Sequence, residues 1–118
     1  MTPTPELDRV LPLTPTVFHV LVALAGGPRH GYAIIKEIET REGEASAPST
    51  GALYLALQRL EREGMIDDAP TPEGERDRRR RYYRLTVEGR RVAEAESARL
   101  AGLLAAARTR KLLPGEGT

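Results

Sequence analysis

The segment from Pro48 to Thr86 limits what this chain can become more than any other. It opens as Pro48-Ser49-Thr50-Gly51-Ala52-Leu53-Tyr54-Leu55-Ala56-Leu57-Gln58-Arg59-Leu60-Glu61. Leu53, Leu57 and Leu60 recur at the i, i+4, i+7 spacing of a helix, with Ala56 beside them. Ser49 suits the N-cap, where its hydroxyl oxygen can accept from free first-turn amides. Gly64 follows Glu63, where a helix closes on a left-handed residue. The spacing predicts a short amphipathic helix over about residues 49–63. Its other face carries Thr50, Tyr54, Gln58 and Arg62, all hydrogen-bond donors. The segment ends in Arg78-Arg79-Arg80-Arg81-Tyr82-Tyr83-Arg84-Leu85-Thr86. An apolar stripe behind, donors in front and an arginine-loaded hairpin next predict a recognition helix and a wing.

Charge becomes informative only when it is located. The whole chain of 118 residues is near neutral at +1. Between Arg76 and Arg91, eight arginines stand against Asp77 and Glu88, a local +6 that leaves −5 for the remainder. Such segregation is the electrostatic footprint of phosphate binding. An isolated arginine run is otherwise read as a solvated hairpin. Its place directly after a candidate recognition helix favours the phosphate reading.

The flanking segments supply a body for that helix. Residues 1–13 hold Pro3, Pro5 and Pro12 with little periodicity and are expected to form a flexible arm. Thr14-Pro15 is a helix start, and Phe18, Leu21, Val22 and Ala25 then share a face. Val17, Val20 and Leu24 make the rest of that helix apolar too, which places it centrally or between subunits. Gly26-Gly27-Pro28 ends it. A second helix is expected from Gly31 to about Arg41, with Ile34, Ile35 and Ile38 inward. Two helices, a loop and a third helix make a helix-turn-helix. Met65 to Asp68 and Arg79 to Leu85 read as the two strands of the wing, around a Pro70, Pro72 and Gly74 tip. Alternation would put Arg79, Arg81, Tyr83 and Leu85 on one face of the returning strand.

A long helix is expected over residues 86–113, capped by Thr86 and weakened locally by Gly89 and Gly102. Val92, Leu100, Leu103, Leu104 and Ala107 give it an apolar seam. It overhangs a domain of this size, so a partner subunit is the simplest cover for its outer half. Residues 114–118 should be a disordered tail. The expected fold is mainly α with a small two-stranded β wing. A winged helix-turn-helix domain over residues 14–85 is joined to a C-terminal dimerisation helix.

Several classes of function are disfavoured. With no cysteine there is no disulfide, thiolate metal site or cysteine nucleophile. His19 and His30 lack further donors at useful spacing, so no metal and no cofactor is expected. No glycine-rich phosphate loop and no sheltered carboxylate pair suggests an enzyme. No apolar run approaches the roughly 20 residues of a membrane helix. The proline-rich N-terminus does not look like a signal peptide. A cytoplasmic location is expected.

Three strings together resemble the PadR family of bacterial transcriptional regulators. The first runs from Leu21 through Gly26-Gly27-Pro28 to His30-Gly31-Tyr32. The second is Ser49-Thr50-Gly51-Ala52-Leu53-Tyr54 with Arg59-Leu60-Glu61 and Gly64-Met65-Ile66. The third is Arg81-Tyr82-Tyr83-Arg84-Leu85-Thr86 with Glu88-Gly89. The resemblance covers about Leu13 to Arg91. It implies a homodimeric repressor on a pseudo-palindromic operator, held together by its C-terminal and N-terminal helices. In some members with a single C-terminal helix, planar hydrophobic compounds bind at the dimer interface and release DNA. Here Phe18, Leu21, Val92, Leu100, Leu103, Leu104 and Ala107 are the candidate interface and effector-pocket residues. The chain has no tryptophan, and its final helix has no aromatic residue. Leu55 stands where relatives usually carry a polar residue; it would meet a thymine methyl or tuck under the wing.

Recognition helices enter the major groove with their first turns nearest the base edges. Thr50, Gln58 and Arg59 are the candidate base readers, and Ser49 and Tyr54 the candidate phosphate holders. Gly51 would let the backbone approach. Arg78, Arg79, Arg80 and Arg81 would follow flanking phosphates or dip into a minor groove. A dimer would set two such helices about 34 Å apart, one turn of duplex. The alternative reading is a winged-helix module that binds protein, which would keep its partner at high salt and ignore duplex DNA.

Overall fold

The structure is a computed structural model, and it describes residues 11–114. Helix α1, Pro15–Ala25, starts as its sequence demands: Thr14 Oγ1 accepts from Val17 N at 3.3 Å. Strand β1, Arg29–His30, leads directly into α2, Gly31–Glu42. A one-turn 3-10 segment, Glu44–Ser46, precedes α3, Thr50–Arg62. There Ser49 Oγ accepts from Ala52 N at 3.1 Å. Leu53, Ala56, Leu57 and Leu60 form the buried face of α3. The helix closes with Met65 N donating to Leu60 O and Gly64 N to Glu61 O. That closure needs a left-handed residue, and Gly64 has φ +76°.

The sheet has three strands rather than the two expected, in the order β1-β3-β2. Strand β2, Ile66–Ala69, pairs with β3, Tyr82–Leu85, through Ile66↔Leu85 to Ala69↔Tyr82. The extra strand pairs Arg29 with Tyr83 and His30 with Tyr82, antiparallel. Two residues are too few for alternation to reveal. The returning strand also begins at Tyr82, not Arg79. Arg78 to Arg81 therefore lie in the loop before it, where strand alternation does not govern them.

Helix α4, Val87–Thr109, is capped by Thr86 Oγ1, which accepts from Gly89 N at 3.0 Å. The same hydroxyl donates to Gly64 O at 2.6 Å. This fastens the start of α4 to the turn after α3. The helix stops short of residue 113. Lys111, at φ +61°, takes the left-handed position usually given to glycine. Lys111 N donates to Arg108 O and Leu112 N to Ala107 O.

One core joins all these elements. Val20 and Leu21 of α1, Ile34 and Ile38 of α2, Leu53, Leu57 and Leu60 of α3, and Val92 of α4 are fully buried. The expected break at residue 86 is thus not a break in packing. Residues 1–10 and 115–118, most of the expected arm and tail, lie outside the described residues. Leu13 does not belong to a loose arm: it is buried in the core cluster, and its amide donates to Glu96 Oε2 at 3.0 Å. Glu96 is 1% exposed and also accepts from Arg99 Nε at 2.6 Å and Nη2 at 3.0 Å. The Arg99 guanidinium, with the Leu13 amide assisting against burial, holds this carboxyl below its ordinary range. Beyond Leu100, α4 leaves its own domain: residues 101–106 are all exposed.

Candidate nucleic-acid interface

The leucine face of α3 is spent on the core, so the opposite face must point outward. Thr50, Gly51, Tyr54, Leu55, Gln58 and Arg62 are exposed. Leu55 is 69% exposed, which excludes the option that it tucks under the wing. Arg59 is half-buried and pairs with Glu63 one turn on, at 3.3 Å. The Ser49 oxygen is engaged in the cap, which leaves its O–H free to donate.

Tyr54 is set by Gly31 at the start of α2. A Cβ on Gly31 would lie 2.8 Å from the Tyr54 hydroxyl and 3.2 Å from its ring. Gly31 therefore lets α2 approach the tyrosine closely. Tyr32, the next residue, is exposed, with Lys36 Nζ 5.5 Å from its ring centroid. Sequence reasoning missed Gly31 and Tyr32 as parts of this surface. The signal was the His30-Gly31-Tyr32 string itself.

Tyr54 and Gln58 share a surface with Arg79, Arg80 and Arg81 of the β2–β3 loop. Together they flank an open cleft of about 700 Å³, floored by His30, Gly31 and Tyr83. The arginines are not equivalent. Arg78 is exposed and has no carboxylate partner among the described residues. Arg79 has a side chain 93% exposed and touches only the local Asp77, at 3.3 Å. Arg80 pairs with Glu75 at 3.4 Å, and Arg84 with Asp67 at 2.9 Å. Arg81 is held by Glu61 and Asp68. Part of the local +6 is thus met by Asp67, Asp68 and Glu75 of the wing and by Glu61 of α3.

The loop is folded back on itself. The Tyr82 hydroxyl donates to Glu75, as do Asp77 N and Arg80. These donors, Tyr82 first, hold the Glu75 carboxyl down at about 2. The bond to carboxylate in turn pushes the Tyr82 phenol up.

His30 joins the two sides. Its Nδ1 accepts from Ala33 N at 3.1 Å and so caps α2. Its ring meets Tyr82 edge-on at 5.2 Å. Burial, then the Arg80 charge, lowers its pKa below 6.5 against an opposing pull from Glu75. A histidine with a depressed folded pKa binds its proton more readily when unfolded. Its contribution is complete above pH 6.5 and is lost as the pH falls through 6.5 toward the lower folded value. Thermal melts should therefore show a drop in Tm across that window. His30→Asn, which can cap without a neutral imidazole, should flatten it. An unchanged drop in that variant would assign the effect elsewhere.

The expected interface residues divide in two. Leu21 at 0% and Val92 at 1% exposed belong to this chain's own core, so they are withdrawn as partner or effector contacts. Their helices suggested a shared seam, but the domain itself uses them. Phe18, Leu100 and Ala107 are half-buried, and Leu103 and Leu104 are exposed. Among the described residues, no three His, Asp or Glu side chains are grouped to hold a metal. None of the described helices is long and apolar enough to cross a membrane.

A family model described as the transcriptional regulator PadR-like family matches residues 20–95. The chain belongs to this family. The family is described as one of transcriptional regulators. An uncharacterized 37.1 kDa protein in transposon TN4556 of Streptomyces fradiae is 44% identical over 86 residues. The match covers 70% of this chain, which spans only 23% of that protein's length. A PadR family transcription regulator from Clostridium difficile is similar in structure, with a TM-score of 0.71 at 25% identity. That match covers 81% of this chain and 97% of the other. Bacillus subtilis PadR, solved in complex with operator DNA, gives a TM-score of 0.57 at 24% identity, over 67% of this chain and 44% of that one. At that identity it shows the shared fold. In this PadR-like chain α1 to β3 share one core with the start of α4, and the rest of α4 extends beyond it.

Proposed function

We propose that the protein binds a pseudo-palindromic operator as a homodimer and represses transcription. Helix α3 enters the major groove, and the exposed wing arginines Arg78 and Arg79 hold flanking phosphates. The observation that carries this reading is the shared cleft: Tyr54 and Gln58 of α3 line it together with Arg79 and Arg80 of the wing loop. Hydrogen-bond donors on a helix and exposed guanidinium groups on a loop then meet one duplex together. The operator complex of Bacillus subtilis PadR supports the same use of the fold.

The roles divide by chemistry. Thr50 and Gln58 read base edges, Leu55 supplies an apolar contact for a thymine methyl, and Tyr54 and the Ser49 hydroxyl hold phosphates. Arg78 and Arg79 supply the salt-sensitive part of the affinity. The exposed half of α4 is the dimer seam. A small hydrophobic effector would sit between α1 and α4, beside Phe18 or in the groove floored by Val22, Ala25 and Ala93.

The test is fluorescence anisotropy on duplex DNA from upstream of the gene, against a scrambled duplex, at two salt concentrations. Tighter binding to the upstream duplex at both salts is expected. No binding at low salt would sink the proposal and favour a protein-binding module. Two variants separate the roles. Arg79→Ala should weaken binding to every sequence and reduce the slope of log K against log salt by about one. Gln58→Ala should cost about 1–3 kcal/mol of discrimination at one base pair and leave the slope alone.

A further inference from the structure

The wing contains one arginine whose geometry is unlike the others. We infer that Arg81 is not a phosphate ligand but a positioning residue that clamps the wing to the reading helix. The inference rests on the proposed reading of DNA by α3 and the wing.

All three guanidinium nitrogens of Arg81 are engaged. Nη1 donates to Glu61 Oε1 at 3.1 Å, and Nη2 donates to Glu61 Oε2. Nε donates to Asp68 Oδ1. The plane lies over the Tyr83 ring, 4.9 Å from its centroid. Tyr83 is itself buried. One side chain thus joins the last turn of α3, strand β2 and the ring on β3.

A guanidinium recognises phosphate through paired N–H groups in a planar fork. In Arg81 the Nη edge is taken by Glu61 and Nε by Asp68. Binding a phosphate through a paired fork would require giving up some of these bonds and leaving a carboxylate uncompensated beside the duplex. Arg78 carries no such cost, and Arg79 has only its exposed local contact with Asp77 to give up. Exposed ion pairs generally contribute little; a bidentate fork within a network is the exception. The bridge here also spans elements 20 and 13 residues apart in sequence. It sets where the wing stands relative to Gln58 and Tyr54 on α3.

The clamp makes predictions that a phosphate contact does not. The probe is a short duplex selected by the full-length protein from a randomised pool, with a scrambled duplex beside it. Arg81→Ala should lower affinity for the selected duplex by about tenfold. The slope against log salt should stay at the wild-type value. Arg81→Lys keeps the charge but cannot fork, so it should behave like Arg81→Ala. Glu61→Gln removes a negative charge near DNA, yet it should also weaken selected binding. It should bring the selected and scrambled affinities closer together.

A phosphate ligand would give the reverse pattern: a slope reduced by about one in Arg81→Ala, near-normal binding by Arg81→Lys, and tighter binding by Glu61→Gln. That pattern would overturn the assignment and leave the DNA-reading proposal standing. So would Arg81→Ala binding like wild type. A wild-type protein that ignores duplex DNA would overturn both. Should Arg81→Ala fail to fold, Glu61→Gln on the helix side still decides the sign.

Discussion

Replacing Leu103 and Leu104 together by glutamate is expected to leave a folded monomer that has lost most of its operator affinity. These side chains are 62% and 40% exposed in the single chain. With Leu100 and Ala107 they complete an i, i+3, i+4, i+7 seam on a part of α4 that has left its own core. Burying a leucine contributes about 1.5–3 kcal/mol, and a two-fold interface counts each one twice. A micromolar dimer requires only about 8 kcal/mol. Scaled by the exposure each would lose, the four leucines of the pair contribute about 3–6 kcal/mol of that, and buried glutamates would reverse their contribution. The domain itself should be untouched, because glutamate is a good helix former and neither leucine reaches the core. Two linked reading heads gain about 10²–10⁴ in avidity over one, and the monomer forfeits that factor. Light scattering and anisotropy on the same preparation check both halves. A variant that remains a dimer would remove α4 from the interface.

Gly89→Ala should be the most damaging glycine-to-alanine substitution among the described glycines. Its Cβ would stand 1.9 Å from the Met65 carbonyl oxygen and 2.9 Å from the carbonyl carbon. Neither can move freely: Thr86 N donates to that oxygen at 3.1 Å, and the Thr86 hydroxyl is tied to Gly64. Relief requires lifting the start of α4, which breaks its cap and uncovers Val92. Overpacking of about 1–3 kcal/mol and a lost cap of about 1 kcal/mol then add. A fall in Tm of about 10–20 °C is expected. Gly102→Ala on the same helix has nothing within 4 Å of the new methyl. It should stabilise by up to about 1 kcal/mol through helix propensity. Equal effects of the two substitutions would refute the close-approach argument.

That pair also shows where the sequence stops being informative. Gly89 and Gly102 look alike as interruptions of one helical pattern, and only the long-range contact with Met65 separates them. Local signals were legible: Thr14, Ser49 and Thr86 cap the helices they precede, and the leucine spacing in α3 gives its buried face. The third strand was not, because two residues carry no period. The end of α4 was misjudged because Lys111 does what a glycine usually does. For the candidate site, the exposed face of α3 followed directly from its apolar stripe. The inequality among the wing arginines did not. It depends on which of them meet Glu61, Asp67, Asp68, Glu75 and Asp77 after folding, and a run of identical residues cannot say.

Glu96 has a mechanical meaning beyond its hydrogen bonds. It is the last buried residue of α4 before the helix leaves the domain, and it is gripped by Leu13 on one side and Arg99 on the other. It is therefore a fulcrum. Thirteen residues separate it from Thr109, a lever arm of about 20 Å at 1.5 Å per residue. A tilt of about 10° at Glu96 moves the far end by about 3 Å. That is comparable to one base-pair step of duplex (about 3.4 Å). In the proposed dimer, a small adjustment at this one carboxylate would shift the two reading heads relative to a helical repeat.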